Sequence, residues 1–261
     1  MRFINKTALI TGAASGMGFL TAKCMAEEGA CVVLADINQE GLDKAAAEIG
    51  KTVPAERILT VAGDVRNYAQ VVATKDAAIE RFGRIDFLIC CAGGAETRLL
   101  GQHGRFHEMP IDVFDFGIDL NLKGPAYFSH AVLPQMQKQK SGVIILMGSI
   151  TGVAGGEGSV AYAAAKSALM NGVVKSLALL GAPHNIRACC VAPGPVLTRA
   201  AMANMKTLLG RASEPQEIVD MILFLCADSG ASVTGTTQVY TLSNRNVIPV
   251  LPPERMVKYT T

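Results

Sequence analysis

The sequence predicts a single α/β domain over residues 1–261, a doubly wound parallel sheet of about seven strands with helices on both faces. Three observations predict it. Short apolar runs alternate with amphipathic stretches from end to end, the pattern of strand and crossover helix. The runs are apolar throughout rather than at every second residue, as strands covered on both faces must be. A glycine-rich turn joins the first run to the first amphipathic stretch, which is how a Rossmann-like, nucleotide-binding sheet begins.

Taken in order, strands are expected at 8–11, 31–35, 58–62, 87–91, 143–147, 188–191 and 238–242. Helices are expected at 17–28, 39–49, 69–82, 120–138, 161–180 and 215–226. Right-handed crossovers then place the helices on both faces. Two loop-like segments, about 93–110 and 194–211, follow strand C-terminal ends, where an open α/β sheet binds its ligands.

A chain of 261 residues buries a sizeable core without a disulfide or metal staple. The net charge is +2 and no long Lys/Arg cluster occurs, which excludes a nucleic-acid groove or an anionic membrane surface. No apolar run approaches the ~18 residues of a membrane span. The first strand starts almost at once, leaving no room for a signal peptide, so a cytoplasmic protein is expected. The seven cysteines form no Cys-x-x-Cys pair and read as reduced thiols packed as small hydrophobes. Of four histidines only His103 and His107 have helical spacing; with no third ligand in view, no metal site is expected.

The turn Gly12-Ala13-Ala14-Ser15-Gly16-Met17-Gly18 suits a pyrophosphate, because glycines let backbone N–H groups approach it and a helix N-terminus faces it. Asp36 closes the second strand, eighteen residues after Gly18 and next to Ile37. A carboxylate there accepts hydrogen bonds from the adenosine ribose and repels a 2′-phosphate. No Arg or Lys stands in the turn or beside Asp36 to offset that, so NAD is expected rather than NADP. Asp64-Val65 and Cys91-Ala92-Gly93 end the third and fourth strands on the same sheet edge, near the adenine and its ribose.

Tyr162 and Lys166 are four apart in the fifth helix and so share one face. An ammonium beside a phenol favours the phenolate, which lets Tyr162 exchange a proton with a substrate oxygen. Ser149 ends the fifth strand just upstream, where its hydroxyl can bond the same oxygen. Asn121, at the start of the preceding long helix, can orient Lys166 through a water or serve as a buried amide bonding backbone.

In order, the chain carries Thr11-Gly12-x-x-x-Gly16-x-Gly18, Asp36, Asp64-Val65, Ala92-Gly93, Asn121, Ser149, Tyr162-x-x-x-Lys166 and Pro193-Gly194-x-Val196-x-Thr198. With these motifs it resembles the short-chain dehydrogenase/reductase family, in its compact one-domain branch, over nearly the whole chain. The resemblance implies that Ser149, Tyr162 and Lys166 are a catalytic trio with Asn121 as fourth member, and that Lys166 also holds the nicotinamide ribose. It implies that the loop from Pro193 through Gly194 holds the nicotinamide, with Val196 and Thr198 on its carboxamide. It further implies a homotetramer or dimer paired through the long helices. Three departures stand out: Cys90-Cys91 where the family has Asn-Asn, Cys189 where it has Asn, and Tyr240-Thr241-Leu242-Ser243 where it has Val-Asp-Gly-Gly.

A small-molecule substrate is expected, a secondary alcohol or ketone such as a sugar, polyol or hydroxy acid. A hydroxysteroid or 3-oxoacyl-thioester is the alternative substrate, and a catalytically silent NAD-binding regulator the alternative function. Candidate substrate contacts are Gly94, His103, Glu157 and Met202, the last on an expected small helix over 200–209. Glu96, Arg98, Arg105 and His107 bring further charge to the same edge.

Overall fold

The structure is a computed structural model that describes residues 1–102, 104–205 and 207–240. The first half runs β1 (Thr7–Thr11), α1 (Gly16–Glu27), β2 (Cys31–Asp36), α2 (Gln39–Ile49), β3 (Ile58–Ala62), α3 (Tyr68–Phe82) and β4 (Phe87–Cys90). Then come a short α4 (Glu96–Leu99), α5 (Ile111–Ile118), α6 (Gly124–Gln139), β5 (Gly142–Met147) and a short α7 (Thr151–Ala154). Last come α8 (Val160–Ala168), α9 (Val174–Gly181), β6 (Ile186–Ala192), α10 (Pro215–Cys226) and β7 (Thr236–Val239). All seven strands are parallel, in the order β3-β2-β1-β4-β5-β6-β7. The order reverses direction between β1 and β4, and such a switch point opens a crevice at the strands' C-terminal ends.

Side chains alternate between two cores, as the strand period requires. Ala8, Ile10, Leu34, Ile89 and Ile145 face α1, α2 and α10. Leu9, Val33, Leu88, Ile144 and Leu146 face α3, α6 and the α8–α9 rod. Leu9, Leu88 and Ile144 are fully buried, each contributing about 1.5–3 kcal/mol. Local chemistry sets several helix ends. Asn67 caps α3 by accepting from the amides of Ala69 and Gln70, and Gly83, at φ +74°, ends it. At the opposite rim from the crevice, the buried carboxylate of Asp86 holds the Thr7 amide at 2.9 Å, pairs with Arg84 at 2.7 Å and reaches Lys6 at 3.3 Å.

The first six strands fall within two residues of their expected limits, and α2 and α10 match theirs. The seventh starts at Thr236 and is described only to Tyr240, so Thr241, Leu242 and Ser243 lie outside the described residues. Two expectations are corrected. The helix expected from 120 begins at Ile111, just after Pro110, and continues through a five-residue π turn, Asp119–Lys123, into α6. Asn121 therefore lies inside a continuous helix, not at its start. The helix expected over 200–209 is only a 3₁₀ turn, Ala200–Met202. Thr207 bends the chain there instead, accepting from the Leu209 amide and donating to the Arg211 carbonyl.

Candidate active site

At the switch point, the glycines of the first turn have different surroundings. A Cβ on Gly12 would lie 2.7 Å from the Ala92 nitrogen, and one on Gly18 would lie 2.2 Å from the Gly12 carbonyl oxygen. Gly12 lets the turn approach the chain after β4, and Gly18 lets α1 pack down onto the turn. Gly16, at φ +56°, has nothing within 4 Å of its Cβ position and faces open space. Ser15 precedes α1 without spending its hydroxyl on a cap. The first-turn amides, at the positive end of the helix, are thus open to an anion.

Asp36 lies at the end of β2, its carboxylate fixed by the amides of Ala14 (3.1 Å) and Asn38 (3.0 Å). Two bonds leave further lone pairs for a ligand. Ile37 beside it is 68% exposed, an apolar surface for a planar ring. Asp64 is engaged by Arg66, whose Nε lies 3.0 Å from both carboxylate oxygens. That hydrogen-bonded pairing holds Asp64 below its ordinary carboxylate range. The Arg66 guanidinium also stacks 4.6 Å from the centre of the Phe116 ring.

A cleft of about 620 Å³ runs along this edge. It is lined by Gly12, Ser15, Gly16, Met17 and Gly18 from the turn, by Asp36 and Ile37 at the end of β2, and by Asp64 and Val65 just after β3. Cys91, Ala92 and Gly93 after β4, and Thr198 after β6, complete the expected lining. Leu99, Phe116, Leu120 and Arg199 also line it, and sequence reasoning did not pick them out. Phe116 was hidden by the missed helix; Arg199 was legible only as the neighbour of Thr198.

Tyr162, Lys166, Pro193, Gly194 and Val196 are not among the cleft-lining residues. The Pro193 carbonyl is held by the Ile150 amide at 2.9 Å, and Val196 bridges to Ser213. Lys166 is 3% exposed. Its ammonium donates to the Met147 carbonyl at 2.6 Å and lies 5.4 Å from the centre of the Tyr162 ring. The end of β5 thus offsets part of the cost of burying this charge. A Cβ on Gly93, in the cleft wall, would stand 3.5 Å from the same nitrogen. Ser149 is buried; its Oγ accepts from the Thr151 amide at 3.2 Å, leaving the hydroxyl proton free to donate.

Asn121 is fully buried. Its Oδ1 accepts from the Gly94 amide at 2.9 Å, while Nδ2 donates to the carbonyls of Gly94 (2.9 Å) and Gly117 (3.0 Å). Both amide hydrogens are spent on backbone. Asn121 therefore ties the loop after β4 to the π turn.

Of the expected substrate contacts, Gly94 is the residue Asn121 grips. Glu157 is exposed in the turn before α8, and Met202 is half-buried, its sulfur 3.8 Å from an Arg199 nitrogen. His103 lies outside the described residues. Arg105 and His107 are exposed. Glu96, read as a loop charge, is instead 2% exposed and accepts from the amides of Ala161 and Tyr162, both at 3.1 Å. Nothing in its local sequence reveals partners 65 residues away.

All seven cysteines are free. Burial pushes the Cys91 thiol up to about 12, and raises Cys90 further still. Cys189 supplies one bond, from Sγ to the Val233 carbonyl at 3.2 Å. Among the described residues no group of three His, Cys, Asp or Glu side chains could hold a metal. None of their helices is long and apolar enough to cross a membrane.

Comparison with known proteins fits this geometry. The family model for short chain dehydrogenase matches residues 6–208. The oxidoreductase UcpA of Salmonella typhimurium is 36% identical over 256 residues, covering 91% of this chain and 94% of that protein. The cis-4-hydroxycyclohexanecarboxylate dehydrogenase of Sinomonas cyclohexanicum is 35% identical, over 89% of this chain and 94% of that one. The crystal structure of levodione reductase superposes with a TM-score of 0.82 at 29% identity, covering 92% of this chain and 97% of that one. An open switch-point cleft, a buried ammonium beside a tyrosine ring and matches along nine-tenths of the sequence converge on one statement. The chain belongs to the short chain dehydrogenase family, oxidoreductases acting on alcohol and ketone groups.

Proposed function

We propose that this enzyme interconverts a secondary alcohol and its ketone with NAD, and that its substrate carries a carboxylate. The observation that carries the chemistry is the Lys166 ammonium, fixed by the Met147 carbonyl and 5.4 Å from the Tyr162 ring. The open N-terminus of α1, the empty space over Gly16 and the free lone pairs of Asp36 fit a dinucleotide. When bound, it takes up or supplies the hydride. Tyr162 accepts the alcohol proton during oxidation and returns it during reduction, with the Lys166 ammonium one helical turn along on the same face. The Ser149 hydroxyl donates to the same substrate oxygen and orients it. Lys166 also has donors left for the nicotinamide ribose, and the Pro193–Thr198 loop would hold the nicotinamide. The long α5–α6 and α8–α9 rods are the surfaces through which copies would pair into a dimer or tetramer.

The negative charge of Asp36 favours NAD over NADP, because a 2′-phosphate beside it is repelled. The carboxylate rests on Arg98 and Arg199. Both guanidiniums line the cleft, and neither pairs with a carboxylate among the described residues. Burial, and then the charge of Arg199, hold Arg98 below its ordinary value. An anion between them would relieve that repulsion, and arginine suits a carboxylate's two oxygens. The named substrate of the Sinomonas relative is itself a hydroxy acid.

The test is a panel of cyclic and linear hydroxy acids, their neutral ester or alcohol counterparts, sugar alcohols, steroids and 3-oxoacyl thioesters. Each is assayed with NAD and with NADP by nicotinamide absorbance. Faster turnover of hydroxy acids with NAD, abolished by Tyr162→Phe, is the expected result. In Arg98→Met, KM for hydroxy acids rises about tenfold or more and KM for neutral alcohols stays put. Dinucleotide binding without turnover across the panel would favour a silent regulator. A dinucleotide Kd weakened in Arg199→Met would assign that side chain to the pyrophosphate instead.

A further inference from the structure

We propose that Glu96 is a positioning residue for the reaction: its buried carboxylate, offered from the loop after β4, caps the catalytic helix α8 and sets where Tyr162 stands. The inference rests on the assignment of Tyr162 as the proton-transfer group. Val160 opens α8, so Ala161 and Tyr162 are its second and third residues, whose amides have no partner inside the helix. Glu96 satisfies both, one carboxylate oxygen to each, at 3.1 Å. The residue normally placed for this, Ser159, makes no capping bond; its hydroxyl instead meets that of Thr97 at 3.3 Å. A remote loop thus replaces the local cap.

The surrounding sequence is fitted to this contact. A Cβ on Gly117 would lie 2.6 Å from the Ala161 Cβ and 3.1 Å from the Glu96 Cβ, so glycine lets α5, the loop and α8 meet. The loop is itself fixed upstream, where Asn121 grips Gly94 by both its amide and its carbonyl. Asn121, Gly94, Glu96 and the Tyr162 amide form a continuous connection from the π turn to the phenol-bearing residue. Without the carboxylate, the first turn of α8 frays and Tyr162 frays with it.

Glu96→Gln preserves shape and leaves one acceptor where two are needed. The expected result is a kcat about 10- to 100-fold lower for the fastest alcohol of the panel, with the NAD Kd within about twofold of the parent. Amide hydrogen exchange at Ala161 and Tyr162 rises about fivefold or more, with β5 and α9 unchanged. Adding Ser159→Asp, which supplies an acceptor from the N-cap position, restores much of the lost protection and kcat. A Glu96→Gln enzyme with parental kcat or parental exchange overturns the proposal. So does loss of protection throughout the molecule, or failure of Ser159→Asp to restore either readout. Tyr162→Phe is assayed in parallel. Turnover surviving in that variant removes the assignment of Tyr162, while the exchange result still tests the cap on its own.

Discussion

Gly16 and Gly18 are two residues apart and respond to substitution for different reasons. Gly18→Ala forces a Cβ to within 2.2 Å of a backbone oxygen. The turn must shift, at a cost of about 1–3 kcal/mol, read as a lower urea midpoint with unchanged slope. Gly16→Ala meets no atom but holds a left-handed φ of +56°, costing about 1–2 kcal/mol and filling space the dinucleotide needs. Its NAD Kd therefore suffers more than its stability, and the reverse pattern would sink this division of labour. Asp36→Ser tests the cofactor reading: removing the charge raises the NADP-to-NAD ratio of kcat/KM by about tenfold or more. Most such residues were legible because their roles are local. Gly12, Asp36 and Ser149 each stand at or just after a strand end that a short window reveals. Glu96 was not, because its partners are distant in sequence and its loop position suggested solvent.

At the scale of elements, the π turn at Asp119–Lys123 concentrates risk in one amide. Asn121→Ala strands the Gly94 amide and the Gly94 and Gly117 carbonyls. Buried orphans cost about 1–3 kcal/mol each before water relieves them. A net loss of about 3 kcal/mol is expected by urea unfolding, with a fall in kcat because the loop after β4 loosens. The N-terminus of α10 gives a pH prediction. Hydrogen bonding to Arg211 and to the Glu214 amide lowers Glu217 from 4.5 to about 2. A depressed carboxylate supports the fold fully above its unfolded value and loses that support as pH falls through the folded one. The Thr207–Ser213 segment, tied to α10 through Arg211, should therefore become protease-sensitive between pH 4.5 and about 2. Glu217→Gln should show that sensitivity already at neutral pH. The limits of α2 and α10 were readable from their patterns alone. The start of α5 was not: Pro110 signalled it, but Gly117 and Gly124, poor helix formers, interrupt the run. Asn121 was accordingly misplaced to a helix start.

For the whole molecule, the parallel sheet with helices on both faces followed from the near-continuous apolar runs, since such strands fit only a sheet covered on both sides. The length of the helix expected over 200–209 did not follow, because turns such as Thr207 depend on side-chain bonds rather than periodicity. The thiols report on the integrity of the whole sheet. Burial raises Cys90, Cys190 and Cys226 in particular, so thiolate is scarce at neutral pH. A native sample treated with iodoacetamide should label Cys24 and Cys31 first; Cys91, also half-buried but with its thiol pushed up to about 12, should label more slowly, and all seven only after unfolding. Rapid native labelling of Cys90 would contradict this packing.

The rim built around Asp86, Thr7 and Arg84 has a practical consequence. Every strand points away from it, so none of the groups assigned to turnover hangs from that end. Immobilising the enzyme on a support through a linker near Ile4, which is 56% exposed, would leave the opposite mouth facing the reaction medium.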